Sequence, residues 1–326
     1  MAARPRRSAE ESEALAARAL AGDRAALARV LSDIERGADT AAFAMHGGTA
    51  SHKGAWTIGL TGAPGAGKST LLGALLSHAA RLGERTAALA VDPSSPISGG
   101  ALLGDRLRMP AIATDPDIYV RSMASRGRAG GLADMTRAAV RCLHACGWPR
   151  VFVETVGIGQ LDIDVSTVAD LVIVVLNPGA GDEVQVSKAG LMEIADLFVI
   201  NKADHPGART LRQDLAGMIA TLPAGRYRPG VHETVATTGE GVEKLWTAIA
   251  DNLAQAERSG ALHERRARRA GREVIELADA MLKRRLEAVA RSDLFDGVQE
   301  AVLAGEMSLN EAAARMVGAM SSVSDL

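Results

Sequence analysis

The amino-acid sequence predicts an α/β protein: a doubly wound, mostly parallel sheet with helices before it and after it. From Trp56 to about Leu253, short runs of β-forming residues alternate with helical segments. Most of these runs are apolar throughout, which is typical of parallel strands buried on both faces. A hydrophobic fraction of 47% in 326 residues is enough for one large domain with appendages.

The predicted elements follow one another in strand–helix order. We expect strands at WTIGL (56–60), TAALAV (86–91), IYVRS (118–122), VFVET (151–155), LVIVVL (171–176), LFVI (197–200) and, more weakly, VHETVA (231–236). Helical periodicity predicts helices at 69–82, 131–146 and 241–253.

Three zones are expected along the chain. Residues 1–55 form an N-terminal helical extension and linker, because residues 8–36 place Ala and Leu at helical spacing and the linker is rich in Gly, Thr, Ser and His. Residues 56–254 form the α/β domain. Residues 255–326 have no strand pattern and form a C-terminal helical arm.

The C-terminal arm carries an apolar stripe at steps of three and four residues, formed by Ile275, Ala278, Leu282, Leu286 and Val289. The stripe is compatible with packing inside the chain and with packing against a second copy. Ser308, followed three residues later by Glu311, is a capping-box pattern that predicts the start of another helix.

Composition argues against several classes of function. A net charge of −2 offers no positive field for nucleic acid or anionic lipid, and 3% aromatic residues is little for base stacking. No run reaches the roughly 18 apolar residues of a membrane span, and the N-terminus lacks the apolar core of a secretory signal. Cys142 and Cys146 suggest no disulfide framework, and no nearby His–Cys cluster completes a metal site. We therefore expect a cytoplasmic protein with neither nucleic-acid nor membrane partners.

A glycine-rich loop follows the first predicted strand. The sequence GAPGAGKST matches the pattern G-x-x-x-x-G-K-[ST]. Glycines let backbone N–H groups curl around a phosphate, and the following helix points its positive N-terminus at the same anion. We expect Lys68 to reach the outer phosphates and the Ser69 hydroxyl to ligate Mg²⁺. The expected nucleotide contacts of this loop are Gly62, Ala63, Pro64, Gly65, Ala66, Gly67, Lys68, Ser69 and Thr70.

Three carboxylates are candidates for the metal site: Asp92, Asp105 and Glu154. Asp92 and Glu154 end predicted strands and Asp105 lies on a loop, at the edge where open α/β sheets bind ligands. Mg²⁺ usually takes one or two carboxylates with phosphates and waters, so we expect one of the three to act through a water. An Asx turn before Pro93 is the alternative for Asp92, and a solvated loop position is the alternative for Asp105.

The segment ETVG, from Glu154 to Gly157, stands where many GTPases have D-x-x-G. Gly157 would give its N–H to the γ-phosphate. Ile158 follows it directly, and the nearest glutamine is Gln160. Because a glutamine at that position orients the attacking water in efficient GTPases, we expect slow intrinsic hydrolysis that a partner or a moving loop completes.

The motif N-K-x-D, at Asn201, Lys202 and Asp204, follows a predicted buried strand. The Asp204 carboxylate can accept both N–H groups on one edge of guanine, a donor pair that adenine lacks. A backbone amide from Val235, Ala236 and Thr237 would read the guanine O6. The sequence therefore predicts a P-loop NTPase sheet that binds GTP or GDP with Mg²⁺, with ATP as the weaker alternative.

Taken together, these segments resemble the methylmalonyl-CoA mutase-associated GTPases of the MeaB/ArgK type. The resemblance covers most of 56–253 and is carried by GAPGAGKST (62–70), VDPSSPISGGALLGDRLRM (91–109), VETVGIGQ (153–160), LNPGAGDEVQVSKAGLMEIADLFVINKAD (176–204) and LW (245–246). The combination of VDPSS, LLGD, ETVGxGQ and PGAGDE is specific to this family among GTPases.

The resemblance implies a G-protein chaperone for an adenosylcobalamin-dependent acyl-CoA mutase. Such proteins gate delivery of the intact cofactor and help remove inactivated cobalamin. The resemblance also implies a homodimer formed through the C-terminal helical arm. It makes Lys188 a catalytic candidate beside Lys68 and Glu154, with a solvated surface lysine as the alternative. The implied switch loop contains Gly179, Asp182, Glu183, Gln185 and Lys188.

Two departures from the family pattern stand out. VATTGEG (235–241) occupies the place of a Ser-Gly-Leu-His-Gly-Lys-Gly run, so a hydroxyl contact at position 235 is lost. Ile97 replaces the more usual Thr- or Arg-containing sequel to DPSSP, which bears on the identity of the mutase. Methylmalonyl-CoA mutase is the default partner, and hydroxyisobutyryl-, isobutyryl- and ethylmalonyl-CoA mutases stay open.

Three other functions compete with the mutase chaperone. A kinase-like, ATP-dependent partner of amino-acid transport would conflict with the N-K-x-D motif. A metal-insertion GTPase would usually carry histidine-rich or Cys–His motifs, whereas the histidines of this chain are scattered. A non-enzymatic scaffold would not need the intact set of Lys68, Ser69 and Glu154.

Overall fold

The computed structural model divides the chain into two compact units, Met1–Arg266 and Ala267–Leu326. The residues whose structure it describes are 8–36, 54–92, 115–124, 131–155, 165–179, 190, 192–224 and 227–320. Asp105, Gly157, Asp182, Glu183, Gln185 and Lys188, all expected at the functional site, lie outside these ranges.

The first unit is built on a seven-stranded sheet in which every described strand pair is parallel. Its strands are β1 (Trp56–Thr61), β2 (Thr86–Asp92), β3 (Ile118–Ala124), β4 (Arg150–Thr155), β5 (Leu171–Leu176), β6 (Leu197–Asn201) and β7 (Gly230–Thr234). Their order across the sheet is β3-β2-β4-β1-β5-β6-β7, which brings β1 to the centre. All seven predicted strands are present, and the prediction of a doubly wound α/β fold is confirmed.

Helices cover both faces of this sheet. They are α1 (Ala9–Leu20), α2 (Arg24–Glu35), α3 (Lys68–Arg81), α4 (Gly131–Ala145), α5 (Ala208–Ala220) and α6 (Val242–Arg258). Leucines of α3 share one apolar cluster with α6, whereas α1, α2, α4 and α5 contribute to a second cluster on the other face. Burial on both faces explains why all six residues of β5 are apolar and buried.

The two N-terminal helices pack into the second of these clusters. Asp23 caps α2 by accepting the backbone N–H groups of Ala25 and Ala26. Arg121 of β3 donates to the carbonyl oxygen of Ala28 at 3.0 Å and pairs with Glu35 at 3.2 Å. The helical part of the N-terminal zone therefore contributes to the core of the α/β unit.

Both cysteines are buried free thiols on the core side of α4 and the turn that follows it. The pKa of Cys142 is raised, first because its thiol is hydrogen-bonded to Cys146 and then because it is buried. The same hydrogen bond lowers the pKa of Cys146.

The C-terminal part of the chain is helical, as predicted. Helix α7 (Ala261–Val289) is followed by α8 (Asp293–Leu303) and α9 (Leu309–Ala319). The predicted capping box is confirmed, because Ser308 and Glu311 bond reciprocally at the start of α9. Among the described residues, no helix combines the length and apolarity that crossing a bilayer requires.

Candidate functional site

The glycine-rich loop joins the central strand β1 to helix α3, at the carboxyl edge of the sheet. Gly62 and Gly67 have φ values of 134° and 87°, in the region that favours glycine. A Cβ at Gly62 would collide with the carbonyl oxygen of Val175, and one at Gly67 would collide with the Asn201 side chain. Sterics therefore require glycine at these two positions of the predicted phosphate loop.

Lys68 begins α3 and is almost completely buried. Its ammonium group donates to the carbonyl oxygens of Gly62 at 2.6 Å and Ala63 at 3.0 Å. The charge is therefore held over the loop, at a helix N-terminus where the macrodipole favours anions. This arrangement suits a phosphate group bound by backbone amides and one lysine.

Ser69 and Glu154, two of the predicted metal ligands, meet at this helix start. The Ser69 hydroxyl donates to Glu154 Oε1 at 2.6 Å, and Glu154 is buried near the end of β4. A hydroxyl and a carboxylate are the hard oxygen donors that Mg²⁺ prefers, so this pair fits the ion. Asp92 ends β2, whose Val91 lies in register with Thr155 of β4, so its backbone lies beside the end of that strand. Asp105 lies outside the described residues.

Asn201 connects the phosphate loop to the segment that the sequence assigns to guanine recognition. Its Nδ2 donates to the carbonyl oxygen of Ala66 at 3.0 Å. Its Oδ1 accepts from the Thr234 hydroxyl and from the Ala236 N–H, each at 3.2 Å. Because Asn201 is 2% exposed, these contacts hold the ends of β6 and β7 against the phosphate loop.

Lys202 and Asp204 follow on the exposed rim of the site. Lys202 has a φ of 56°, the one positive value among the described non-glycine residues, and its ammonium donates to the carbonyl oxygen of Gly65 at 3.0 Å. A non-glycine residue in this conformation costs energy and is common at functional sites. The Ala203 N–H donates to Thr234 at 3.0 Å, which orders the turn that presents Asp204.

Some residues that support the predicted site residues carry no motif in the sequence. Thr234 is 1% exposed and bonds Asn201, although no motif marked it. The carbonyl of Val175 packs where a Cβ of Gly62 would lie, and the Thr155 hydroxyl donates to the Thr61 hydroxyl at 3.2 Å. The one local signal in the sequence that could have indicated such a residue is a polar side chain at the end of an apolar strand.

The predicted switch loop begins after β5. Gly179 is exposed with a φ of 88°, two residues after Asn177. Asp182, Glu183, Gln185 and Lys188 lie outside the described residues, as does Gly157 of the ETVG segment. Their assignments stay predictions.

A glycine-rich loop after the central strand of a parallel sheet, a lysine and serine at the next helix start, and N-K-x-D after β6 together define a P-loop GTPase. The family model described as methylmalonyl Co-A mutase-associated GTPase MeaB matches residues 27–291. The chain belongs to this family, and it is a GTPase that binds guanine nucleotide.

Named relatives agree with this assignment. A protein of Pyrococcus abyssi whose name describes it as a GTPase is 43% identical over 282 residues, 85% of this chain and 87% of its own. A Caulobacter vibrioides relative, also named a GTPase, is 38% identical over 320 residues, 94% of this chain and 97% of its own. A Mus musculus protein named methylmalonic aciduria type A homolog, mitochondrial, is 36% identical over 214 residues, 64% of this chain and 52% of its own.

A solved structure described as a LAO/AO transport system kinase shares the fold. The two structures align with a TM-score of 0.68 at 24% sequence identity. The match covers 97% of this chain and 100% of the chain in the solved structure. Identity at this level supports the fold and says nothing of substrates.

Proposed function

We propose that this protein is a Mg²⁺-dependent GTPase that acts as a G-protein chaperone for an adenosylcobalamin-dependent acyl-CoA mutase. Methylmalonyl-CoA mutase is the first candidate partner. In this function the nucleotide state gates loading of the cofactor, protects the mutase and helps reactivate it. The observation that carries the proposal is the convergence of Lys68, the Ser69–Glu154 pair and Asn201 at one sheet edge, in a chain of the mutase-associated family.

The residue roles follow from chemistry at that edge. The amides of residues 62–70 and the Lys68 ammonium bind the phosphates. Ser69 and Glu154 hold Mg²⁺ with help from Asp92 and Asp105, and one of these three carboxylates acts through a water. When bound, Mg²⁺ neutralises charge that develops on the transferred phosphoryl group. Gly157 and Lys188 approach the γ-phosphate, and the remaining switch residues relay its presence to the mutase.

Guanine recognition is assigned to the rim of the site. Asp204 accepts from the base, and the segment Val235–Thr237 reads O6 through its backbone. The contacts of Asn201 to Ala66 and Ala236 support this assignment, because they keep the base-reading segment at a fixed distance from the phosphate loop. Two free thiols support a reducing, cytoplasmic location.

Purified protein with Mg²⁺ provides the test of the proposed function. GTP and ATP hydrolysis are measured alone and with a methylmalonyl-CoA mutase in its apo and adenosylcobalamin-loaded forms. We expect slow GTP turnover that rises with the mutase, and no comparable use of ATP. A GTP turnover rate that does not change when the mutases are added would refute the chaperone role. Turnover of ATP at a comparable rate would refute the assignment of the base-reading residues.

Asp204→Asn is expected to weaken GTP binding by about 100-fold, because a charge-assisted pair of hydrogen bonds to guanine is lost. Binding of XTP should improve, since xanthine carries a carbonyl where guanine has its amino group and Asn can donate to it. Displacement of a fluorescent guanine nucleotide measures both affinities. Asp214→Asn, on the exposed side of α5, is the matched control. An Asp204 variant with unchanged GTP affinity would remove this residue from the site.

We also propose that the protein is a homodimer formed through α7. Val274, Ile275 and Met281 are 66%, 72% and 54% exposed, and Leu282 is 54% exposed. A row of large apolar side chains on one exposed helix is typical of a protein–protein interface. A second copy is the occupant that fits, because the same apolar row would then be covered on both chains.

The double substitution of Ile275→Glu and Leu282→Glu is expected to convert the dimer to a monomer. Two carboxylates buried in an apolar interface would weaken association by about 100-fold or more. Light scattering coupled to size-exclusion chromatography gives the mass. Arg272→Glu changes charge at an exposed position of the same helix and should leave the mass unchanged. A wild-type protein that elutes as a monomer at micromolar concentration would contradict the dimer.

A further inference from the structure

Four charged residues, which we call the basal cluster, lie at the amino-terminal edge of the sheet: Asp170, Asp196, Arg265 and Arg266. Arg266 makes a bidentate contact with Asp170, with Nε at 3.0 Å from Oδ1 and Nη2 at 2.6 Å from Oδ2. Arg265 donates to Asp196 Oδ1 at 2.8 Å and to the carbonyl oxygen of Asp170 at 3.1 Å. The cluster lies at the edge opposite the nucleotide site.

The basal cluster also binds the first residues of three strands. Asp170 Oδ2 accepts the N–H of Thr57 in β1 at 3.1 Å, and Arg266 donates to the carbonyl oxygen of Ala55 at 2.7 Å. Asp196 Oδ2 accepts the N–H of Val172 in β5 at 2.9 Å. Asp196 itself directly precedes β6. The first turns of α7 are therefore fastened to the starts of β1, β5 and β6.

Stability alone is a weak reason for this arrangement. The side chains of Asp170 and Asp196 are 2% and 10% exposed. Burial raises the pKa of Asp196, and the nearby Arg265 offsets this only in part. Desolvating two ion pairs costs several kcal/mol, and well-packed apolar residues often serve the fold as well or better. Buried carboxylates that are paired both with arginines and with strand N–H groups are better explained by a role in holding particular segments in register.

Each of the three fastened strands leads to predicted nucleotide contacts. β1 runs into the phosphate loop, β5 runs towards Gly179 and the predicted switch loop, and β6 ends in Asn201. Each strand has five or six residues, so the cluster lies roughly 20 Å from the opposite edge. The arginines belong to α7, which continues as one helix from Ala261 to Val289.

We propose that the basal cluster is the joint through which the nucleotide state reaches helix α7. A shift of β5 or β6 on exchange of GDP for GTP is transmitted by Asp170 and Asp196 to Arg265 and Arg266. In this role the four residues are positioning residues, since they lie at the edge of the sheet opposite the phosphate loop. The inference deepens the proposed function: it rests on the proposed nucleotide site and does not depend on which mutase is the partner.

Hydrogen–deuterium exchange of the full chain tests this role. Exchange in peptides covering α7 is compared between protein saturated with Mg²⁺–GDP and protein saturated with a non-hydrolysable Mg²⁺–GTP analogue. We expect wild-type exchange rates in α7 to differ by at least about fivefold between the two states, the lower end of typical allosteric couplings. In the double variant of Arg265→Lys and Arg266→Lys, which keeps both charges but loses the forked contacts, that difference should disappear.

Matched variants distinguish a basal cluster that transmits the nucleotide state to α7 from one that only stabilises the fold. Arg272→Lys, at an exposed position of the same helix, should keep the wild-type difference. Affinities for both nucleotides should stay within about twofold in the double variant, because the strands and loops of the site are intact. The proposal is overturned if α7 exchanges equally in both states of the wild type, or if the double variant keeps the full difference. Because no mutase is present, either result leaves the chaperone proposal to its own test.

Discussion

Lys68→Ala is expected to lower the rate of GTP hydrolysis by about 100- to 1,000-fold, as the loss of a preorganised charge-stabilising donor usually does. Lys68 is 6% exposed, and its ammonium is fixed by the carbonyl oxygens of Gly62 and Ala63 at the start of α3. Its charge is therefore already in place when the phosphoryl group acquires negative charge. Single-turnover hydrolysis with excess protein over radiolabelled GTP measures the chemical step without product release.

Two controls make this result specific. Lys68→Met keeps much of the length of the side chain and should be as inactive as the alanine variant, because the charge is what matters. Lys244→Ala removes an exposed lysine from α6 and should have no effect. If Lys68→Ala hydrolyses GTP within about threefold of wild type, Lys68 supplies little of the transition-state stabilisation that such a donor provides.

The sheet could be predicted because burial on both faces leaves a strong signal in the sequence. LVIVVL at 171–176 coincides with β5, whose residues are all buried. The sequence pattern of β7 is weaker, and the observed strand covers 230–234 whereas the prediction was 231–236. The reason is its position at the edge of the sheet, where four of its five residues are only partly buried or exposed.

The local motifs of the site could also be predicted, but not the contacts that assemble them. The spacing in GAPGAGKST is a property of nine consecutive residues, and it places Lys68 and Ser69 correctly at a helix start. The contact between Asn201 and Ala66 joins residues 135 apart. Nothing local in the sequence pairs these two, because the sheet order decides which strand ends are neighbours.

The same limit applies to the basal cluster. The segment ERRARRAGR at 264–272 is a basic run in the sequence, and charge runs usually face solvent. Asp170 and Asp196 stand before two buried strands and look like ordinary boundary residues. Only the three-dimensional contacts of Arg265 and Arg266, at the beginning of α7, show that two of those arginines bind these two carboxylates.

Arg266→Ala is expected to lower the free energy of unfolding of the first unit by about 3–5 kcal/mol, because it removes the guanidinium that pairs with a buried carboxylate. Asp170 is 2% exposed, and it loses both hydrogen bonds from the guanidinium. Burial acts to lower the pKa of Arg266, but the hydrogen bond and charge of Asp170, together with the charge of Glu257, leave that pKa above its ordinary value. Urea unfolding followed by tryptophan fluorescence reports on this unit, since Trp56, Trp148 and Trp246 all lie within it.

Arg272→Ala, on the exposed side of the same helix, should cost little. A second substitution then separates the loss of attraction from the cost of burying the Asp170 carboxylate without the guanidinium. If the charge of the Asp170 carboxylate, buried without the guanidinium, causes most of the loss, adding Asp170→Asn to an Arg266→Met variant should restore more than half of the lost stability. The amide of Asn can still accept the Thr57 N–H that Asp170 now accepts at 3.1 Å, so the start of β1 keeps its contact. If the costs of the two substitutions simply add in the double variant, the two residues act independently, and the charge pair is then not what fastens residues 261–266 to the sheet.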